Sequence, residues 1–350
     1  MNKQSSKYLL TAFLGLTLTN GLLFINPVLA NTINLADGSK CEGQLKEGNL
    51  HGQGKCTFSN GDIYEGNFVD GEKQGQGKYT FANGDVYEGE FTDDQIEGVG
   101  KRIYQEGDIY EGEFKQGQPH GQGVYTSTDG SKYEGQFVNG EPQGEGKFIY
   151  SNGDSCQGTI RDGQIQGEGV CDYDNGDRYQ GQLVNNQPEG QGFYVFADGG
   201  SYRGTFTEGA ITGRGERRYP SDDTYQGEMK NGVPHGQGKF TFSDGGVYEG
   251  NFEDGQQSGN GSYTFPNGNR YQGEFVNGKF AGQGVFTFAN GDVCQGEFQN
   301  NQLHGQVVCD YSNGDTYKGE FANGKKNGSG VYTFSDGTVI DGNWRDDQPI

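Results

Sequence analysis

The chain has 350 residues, of which 66 are glycine, and its formal net charge at pH 7 is −22. Only 30% of the residues are hydrophobic, which is too few to fill the interior of a layered globular domain at native packing density. Low hydrophobicity with high charge is also common in disordered chains, but here the glycines and aromatic residues recur too regularly for disorder. The composition therefore predicts a thin, repetitive fold.

The first thirty residues have the pattern of a secretory signal peptide. The N-terminal segment contains Lys3 and Lys7 and no acidic residue. The apolar run YLLTAFLGLTLTNGLLFI follows it, and the segment NPVLA precedes Asn31. This order predicts cleavage after Ala30 and export to the periplasm, the cell envelope or the extracellular medium. The alternative is an uncleaved membrane anchor, although threonine and asparagine interrupt the run. Removal of two lysines and no acid would change the net charge from −22 to −24.

A period of 23 residues organises the rest of the chain. Thirteen complete units follow one another without insertion from Cys41 to Val339, and a partial unit begins at Ile340. A typical unit is YEGNFVDGEKQGQGKYTFANGDV, residues Tyr64–Val86. Positions 3 and 12 are glycine in all thirteen units, and position 14 is glycine except at Val307. Such a fixed period indicates a repeat architecture.

Two segments of each unit alternate apolar with polar residues, which predicts strands at positions 1–5 and 12–18. Six polar residues separate them, VDGEKQ in the unit quoted above, and an Asn-Gly turn joins one unit to the next. Each unit is therefore predicted to be a β-hairpin in one continuous antiparallel sheet. The prolines after Pro27 all fall at positions 10 and 19, which this assignment places in the connections.

These features resemble the MORN repeat (membrane occupation and recognition nexus), whose pattern is YxGxF/W followed by GxGxY/F and an NG turn. The resemblance covers Cys41–Ile350. It implies an all-β, elongated single-sheet solenoid of consecutive 23-residue hairpins. Thirteen repeats at 41–339 would be capped by a half-repeat at 31–40 and a partial repeat at 340–350. With strands about 4.8 Å apart, each unit would add about 9–10 Å to a rod on the order of 120 Å long.

The alternation also assigns the two faces of the sheet. Positions 1, 3, 5, 12, 14, 16 and 18 place tyrosine, phenylalanine and glycine on one side, and polar residues occupy the other. Aromatic rings are expected to lie over the strand glycines, and the sheet is expected to curl and shield its aromatic side. In the two caps, Ile33, Leu35 and Trp344 fall in the aromatic rows.

All six cysteines occupy positions 1 and 16 of the first, sixth and twelfth units. If position 3 pairs with position 14 across the hairpin, position 1 pairs with position 16, and the two thiols face each other within reach of a disulfide. The predicted bridges are Cys41–Cys56, Cys156–Cys171 and Cys294–Cys309. The alternative is that reduced cysteines serve as small core residues. Two thiols alone make a poor zinc site.

No catalytic, metal or cofactor site is predicted. The four histidines share position 11, but adjacent ones are at least three units, about 28 Å, apart, so no two can bind one ion. The turn carboxylates recur once per unit, whereas calcium needs six to eight oxygens from a compact loop. The GxGxxG-like strings do not lead into a helix, which argues against a nucleotide site. The histidines are His51, His120, His235 and His304.

The eighth unit, Tyr202–Thr224, departs from the pattern because it is basic in an acidic chain. Asp222 replaces the turn glycine, Pro220 enters the turn, and Arg217 takes an aromatic-row position, as Arg102 does in the third unit. Either the unit has drifted neutrally or its arginines contact an anion or a partner. These candidate contact residues are Arg203, Arg214, Arg217 and Arg218.

Three classes of function remain. The sequence favours a non-catalytic exported scaffold that binds a protein or an envelope polymer along its length. The resemblance implies membrane or lipid-headgroup association as the alternative, although the negative charge opposes attraction to anionic bilayers. Enzymes with such repeats resemble kinases or methyltransferases through an added domain that this sequence does not show. No nucleic-acid partner is expected, a glycan would need accessible aromatic rows, and the end strands offer edges for self-association.

Overall fold

The computed structural model describes residues 31–350, and the predicted signal segment, residues 1–30, lies outside them. Every element of the described range is a β-strand, and 29 strands form one sheet. Each strand pairs antiparallel with the strands before and after it in sequence. The prediction of an all-β single sheet of consecutive hairpins is confirmed.

The strands are β1 (Asn31–Asn34), β2 (Lys40–Lys46), β3 (Asn49–Thr57), β4 (Ile63–Val69), β5 (Glu72–Thr80), β6 (Val86–Thr92), β7 (Gln95–Ile103), β8 (Ile109–Lys115), β9 (Gln118–Thr126), β10 (Lys132–Val138), β11 (Glu141–Ile149), β12 (Ser155–Arg161), β13 (Gln164–Asp172), β14 (Arg178–Val184), β15 (Gln187–Val195), β16 (Ser201–Thr207), β17 (Ala210–Arg218), β18 (Thr224–Lys230), β19 (Val233–Thr241), β20 (Val247–Glu253), β21 (Gln256–Thr264), β22 (Arg270–Val276), β23 (Lys279–Thr287), β24 (Val293–Gln299), β25 (Gln302–Asp310), β26 (Thr316–Ala322), β27 (Lys325–Thr333), β28 (Val339–Arg345) and β29 (Gln348–Pro349).

The two strands of a hairpin are joined by a two-residue turn, so the predicted six-residue connection is wrong. In the second unit only Asp70 and Gly71 lie between β4 and β5. Both have positive φ, 50° and 99°, as a type I′ hairpin turn requires. The flanking polar residues belong to the strands. They look like a loop in the sequence because a bulge breaks the two-residue alternation.

That bulge explains the invariant glycine at position 12. Gly66 pairs with Gly77, but the next pair is Phe68 with Lys73, so β5 carries extra residues around Gly75. Position 12 has positive φ in every one of the thirteen units, 68° at Gly75. A side chain is strained in this conformation, and glycine adopts it freely.

The prolines at position 10 lie inside strands, which corrects their assignment to the connections. In four units without proline, the N–H of this residue donates to a side chain of the next hairpin turn and not to the facing strand. Lys73 N donates to Asp94 Oδ1 at 2.9 Å, and Phe280 N donates to Asn301 Oδ1 at 2.8 Å. Proline therefore costs no bond of the sheet ladder here. The position 10 prolines are Pro119, Pro142, Pro188, Pro234 and Pro349.

A carboxylate at position 22 links most units to the next. Asp62 closes the turn after the first unit and accepts hydrogen bonds from the Tyr79 hydroxyl at 2.6 Å and from Ala82 N at 2.8 Å. Burial by itself would raise the pKa of Asp62, but these bonds and one from Asn60 hold it below its ordinary value. The same acceptor recurs at most unit boundaries, so neighbouring hairpins are joined by side chains as well as by the ladder.

The core is a row of buried rings on one face. Tyr64 is fully buried, and its hydroxyl donates to Asn67 O at 2.9 Å. Its ring fills the space in which a Cβ on Gly77 would stand, and it meets Phe91 of the next unit edge-on at 4.9 Å. The expectation that aromatic rings cover the strand glycines is confirmed. Stacking of each ring on the next supplies the burial that a single-layer sheet otherwise lacks.

The two ends differ in how well they bury their apolar residues. Ile33 pairs with Cys41 and packs against the core. Trp344 is 5% exposed, and its Nε1 donates to Gly330 O at 3.0 Å. Leu35, which was expected in the aromatic row, is 46% exposed, and within residues 31–350 β1 has a neighbouring strand, β2, on one side only.

Candidate binding groove on the polar face

Three disulfides occupy the aromatic rows at the predicted pairs. The strand register opposes the two cysteines of each pair, with Cα atoms 4.1 Å apart in all three. All six residues are buried. Each bridge joins the two strands of a single hairpin. The bridged pairs are Cys41–Cys56, Cys156–Cys171 and Cys294–Cys309.

A disulfide leaves the strand glycines without a tyrosine ring above them, and an aliphatic side chain takes its place. A Cβ on Gly158 would lie 2.8 Å from Cγ2 of Ile165, and one on Gly296 would lie 2.8 Å from Cγ2 of Val307. Val307 is the single departure from glycine at position 14, and it is 1% exposed. Its occurrence in a cysteine unit is the sequence signal for this repacking.

The tyrosines of position 1 do not offer a binding surface. Tyr87 and Tyr179 are fully buried. Burial, with the nearby charge of Asp94, raises the pKa of Tyr64 from 10.0 to about 12. A glycan that stacks on exposed rings would find this row covered by the neighbouring units.

The polar face carries a shallow open groove. Its first part encloses about 800 Å³ over the fourth to seventh units, and its second part encloses about 1070 Å³ over the seventh to eleventh. Both parts have the same floor, the backbone of the glycines at positions 3 and 14, whose Cβ direction points to the opposite, aromatic face. The walls are side chains of positions 2, 13 and 15, among them the amides of Gln122, Gln180, Gln191, Gln226 and Gln237.

The groove changes charge along its length. The first part is lined by four carboxylates and one ammonium group. The second part is lined by Arg203, Arg214 and Lys239 against Glu216 and Glu249. An occupant that follows the groove would therefore meet an acidic half and then a half with a small excess of positive charge.

The four arginines of the eighth unit do not form one cluster. Arg203 lies over the ring of Phe193 at 4.9 Å, and Arg214, which is highly exposed, is 3.5 Å from Glu228. Both line the groove. Arg218 forms an exposed ion pair with Asp222, and Arg217 lies on the aromatic face.

The histidines lie one to a site, as their spacing requires. His51 Nδ1 is 3.4 Å from Asp70 Oδ1 across a unit boundary. Within residues 31–350, no group of three or more His, Cys, Asp or Glu is placed to hold a metal ion. The same range contains no helix long and apolar enough to cross a bilayer.

Comparison with protein families gives a match over almost the whole described range. The model of the MORN repeat matches thirteen consecutive segments whose boundaries coincide with the 23-residue units. These segments are residues 41–63, 64–86, 87–109, 110–132, 133–155, 156–178, 179–201, 202–224, 225–247, 248–270, 271–293, 294–316 and 317–339. No curated protein matches the chain.

The solved structures that match the chain share little of its sequence. A mutant TCP10 domain of Danio rerio CPAP is 16% identical over 62% of this chain and 96% of its own, with a TM-score of 0.35. The wild-type domain in complex with a peptide of Danio rerio STIL is 14% identical over 90% and 99%, with a TM-score of 0.18. A catalytically inactive virginiamycin B lyase from Staphylococcus aureus, 14% identical over 89% and 97%, scores 0.14. Scores this low carry no argument about function.

Proposed function

The chain belongs to the MORN repeat family, and on that premise we propose that it is an exported, non-catalytic scaffold that binds an extended partner along its polar groove. The partner class is a protein segment or an envelope polymer. The observation that carries the proposal is the groove itself, which follows eight consecutive units on one face. A repeat protein presents the same group at regular intervals, and this suits a partner that is itself extended.

The chemistry of the groove favours hydrogen bonding over apolar capture. Its floor is glycine backbone and its walls carry many amides, which can each donate and accept. Position 13 recurs once per unit, about every 9–10 Å if two strands separate successive amides. An extended polymer would meet a polar side chain at each step, and this side chain is an amide at Gln122, Gln191, Gln237 and Asn260.

Export is supported by two independent features. The basic, apolar and small-residue order of residues 1–30 is that of a secretory signal. Three disulfides and no free cysteine in residues 31–350 suit an oxidising compartment. The same two features support a partner outside the cytoplasm.

A binding experiment can test the groove directly. The oxidised chain of residues 31–350 is immobilised and exposed to the envelope fraction of the cells that produce it. Retained protein is identified by mass spectrometry and retained polymer by sugar and phosphate analysis. The variant Gln191→Trp with Gln237→Trp fills the second part of the groove, and the control Gln53→Trp makes the same change at the same repeat position outside it.

The scaffold proposal expects the double variant to lose the partner while Gln53→Trp retains it. Equal retention of the partner by both variants would contradict binding in the groove. Flotation with neutral and anionic liposomes tests the membrane alternative, because co-flotation of the parent and the double variant alike would favour lipid association. Reversing the charge of Arg214 and Arg218 then asks whether the partner is anionic, since loss of binding requires a negative group on it.

A further inference from the structure

Arg217 is held in place on the aromatic face but lacks a full set of hydrogen-bond acceptors. Its guanidinium lies over the rings of Phe196 and Tyr219, each 4.8 Å from the guanidinium carbon. One terminal nitrogen, Nη1, donates to Gly232 O at 2.6 Å. The Nε atom is buried and has no partner in the described chain. A buried donor without an acceptor is rare in native proteins.

The third unit contains the same arrangement in complete form. Arg102 lies over Phe81 and Tyr104 at 4.8 and 4.9 Å. Its Nε and Nη2 both donate to Oδ2 of Asp85, at 3.2 and 2.6 Å. The other oxygen of Asp85 accepts from Gln105 N at 2.9 Å. A carboxylate is therefore the group that satisfies an arginine at position 16 in this sheet.

Both elements of that carboxylate site are missing beside Arg217. The residue that corresponds to Asp85 is Gly200, and the residue that corresponds to Gln105 is Pro220. Because proline has no N–H, loss of the carboxylate leaves no backbone donor unpaired. The only group left without its usual partner is the guanidinium.

A second boundary with the same two substitutions shows a different outcome. Gly246 stands at the acidic position and Pro266 follows it one unit later. There position 16 is Tyr263, whose hydroxyl lies 2.6 Å from the place of a Cβ on Gly246. A neutral hydroxyl tolerates the missing acid, whereas a permanently charged guanidinium favours an anion.

We propose that Arg217 is a binding site for a carboxylate supplied by another molecule. The carboxylate would accept from Nε and Nη2 in the way that Asp85 does at Arg102. The two rings and the bond to Gly232 hold the guanidinium in position beforehand, which lowers the ordering cost of binding. Planar, paired donors suit a carboxylate better than a spherical anion. The site lies on the face opposite the groove and does not depend on the function proposed for that groove.

The acidic side chains around the site are already engaged. Asp198 Oδ1 accepts from Gly200 N at 2.8 Å. Asp223 accepts from the Ser221 hydroxyl at 2.7 Å and from Ser243 N at 2.7 Å. These carboxylates are committed to their own turns, so the group that completes Arg217 comes from outside the chain.

The test observes the arginine Nε–H groups directly. The sequence has nine arginines, so the oxidised chain of residues 31–350 with ¹⁵N-labelled arginine gives a small set of Nε–H signals. Arg217→Lys identifies the signal of Arg217. Sodium acetate and the capped peptide acetyl-Gly-Glu-Gly-amide are titrated separately, with sodium chloride at equal ionic strength as the reference.

The expected result is a saturable shift of the Arg217 signal with acetate, while the Arg102 signal stays fixed because Asp85 occupies its site. A peptide that saturates the shift at one tenth of the acetate concentration or less assigns the site to an acidic protein segment. Equal concentrations assign it to small carboxylates. A shift no larger than that produced by chloride overturns the proposal.

Two variants act in opposite directions and share the same readout. Gly200→Asp with Pro220→Gln restores the internal carboxylate and its N–H donor, and it should abolish the acetate response. A Cβ on Gly200 would lie 3.1 Å from Arg218 O and from Asp198 Oδ1 and 3.4 Å from Pro220 Cδ, and the proline change removes the last of these contacts. Asp85→Gly should make the Arg102 signal respond to acetate. A folded restored variant, checked by circular dichroism, that still responds like the parent overturns the proposal.

Discussion

Gly89→Ala should destabilise the third hairpin, because an alanine Cβ at this position would clash with the atoms around it. It would lie 2.6 Å from Cζ of Tyr87 and 2.6 Å from the Cα of Gly100 on the facing strand. Ordinary contacts of this kind are 3.5–4.0 Å. Tyr87 is fully buried and its hydroxyl donates to Glu90 O at 3.1 Å, so neither the ring nor the backbone can move away easily.

Overpacking of a tight core costs about 1–3 kcal/mol, and the double clash places this substitution toward the upper end, about 2–3 kcal/mol. The matched control is Gly342→Ala, which stands at the same repeat position in the last, partial unit. Nothing lies within 4 Å of a Cβ there, since Ile340 replaces the tyrosine. We expect its effect on the free energy of unfolding to stay within about 0.5 kcal/mol.

Repeat arrays need not unfold in a single step, so the assay should resolve position along the chain. Native-state hydrogen exchange followed by mass spectrometry reports the opening free energy of each hairpin. Gly89→Ala should raise exchange in peptides from β6 and β7 and leave distant hairpins unchanged. Equal exchange in the two alanine variants would refute the idea that the ring covers this glycine.

The remaining predictions concern pH, the cross-links and the C-terminal end. The pKa of Asp108 lies below 3.8 because a tyrosine hydroxyl and a backbone N–H bind its carboxylate, so its contribution to stability holds above that pH and is lost as the pH falls further. Burial raises the pKa of Tyr64 from 10.0 to about 12, so the contribution of Tyr64 to stability is present below pH 10 and is lost between pH 10 and 12. A melting temperature that rises as the pH falls below 3.8, or as it rises above 10, would contradict these two predictions. Replacing Cys156 and Cys171 by alanine should cost about 3 kcal/mol, the loop-closure value for such a spacing, with faster exchange confined to β12, β13 and their neighbours. In a chain of residues 31–350, the fluorescence of Trp344, the only tryptophan in the sequence, should change at lower urea than the far-ultraviolet circular dichroism, because within that range its unit packs against a complete unit on one side only. Coincident transitions would contradict this.

The register of this sheet can be predicted from the sequence because the residues that define it recur in almost every unit. Opposed glycines at positions 3 and 14 determine which residues face each other, and the paired cysteines follow from that alignment. The groove could not be anticipated, because it is formed by backbone and by residues that vary from unit to unit. The polar composition of the second face indicated only that it meets water or a polar partner.

The errors have physical causes that a period-two pattern cannot reveal. A bulge at Gly75 shifts the alternation, so the strand residues on its N-terminal side appear to be a loop. Leu35 follows the aromatic row in sequence, but within residues 31–350 no second strand lies beside β1 to bury it. The sequence shows that Gly200 and Pro220 replace the residues that correspond to Asp85 and Gln105. The consequence of this double replacement becomes clear only from the hydrogen bond that Gln105 N donates to Asp85.

Each disulfide closes inside one hairpin, and this sets how the molecule would respond to tension. The two cysteines of every pair are fifteen positions apart in the sequence. Pulling from the two ends can separate one hairpin from the next without meeting a covalent obstacle, yet it cannot straighten the closed segments. At about 3.3–3.6 Å per extended residue, each bridge withholds about 50 Å of contour length. The oxidised chain would therefore lengthen in steps of two sizes when it is pulled, and the reduced chain would lengthen in steps of a single size.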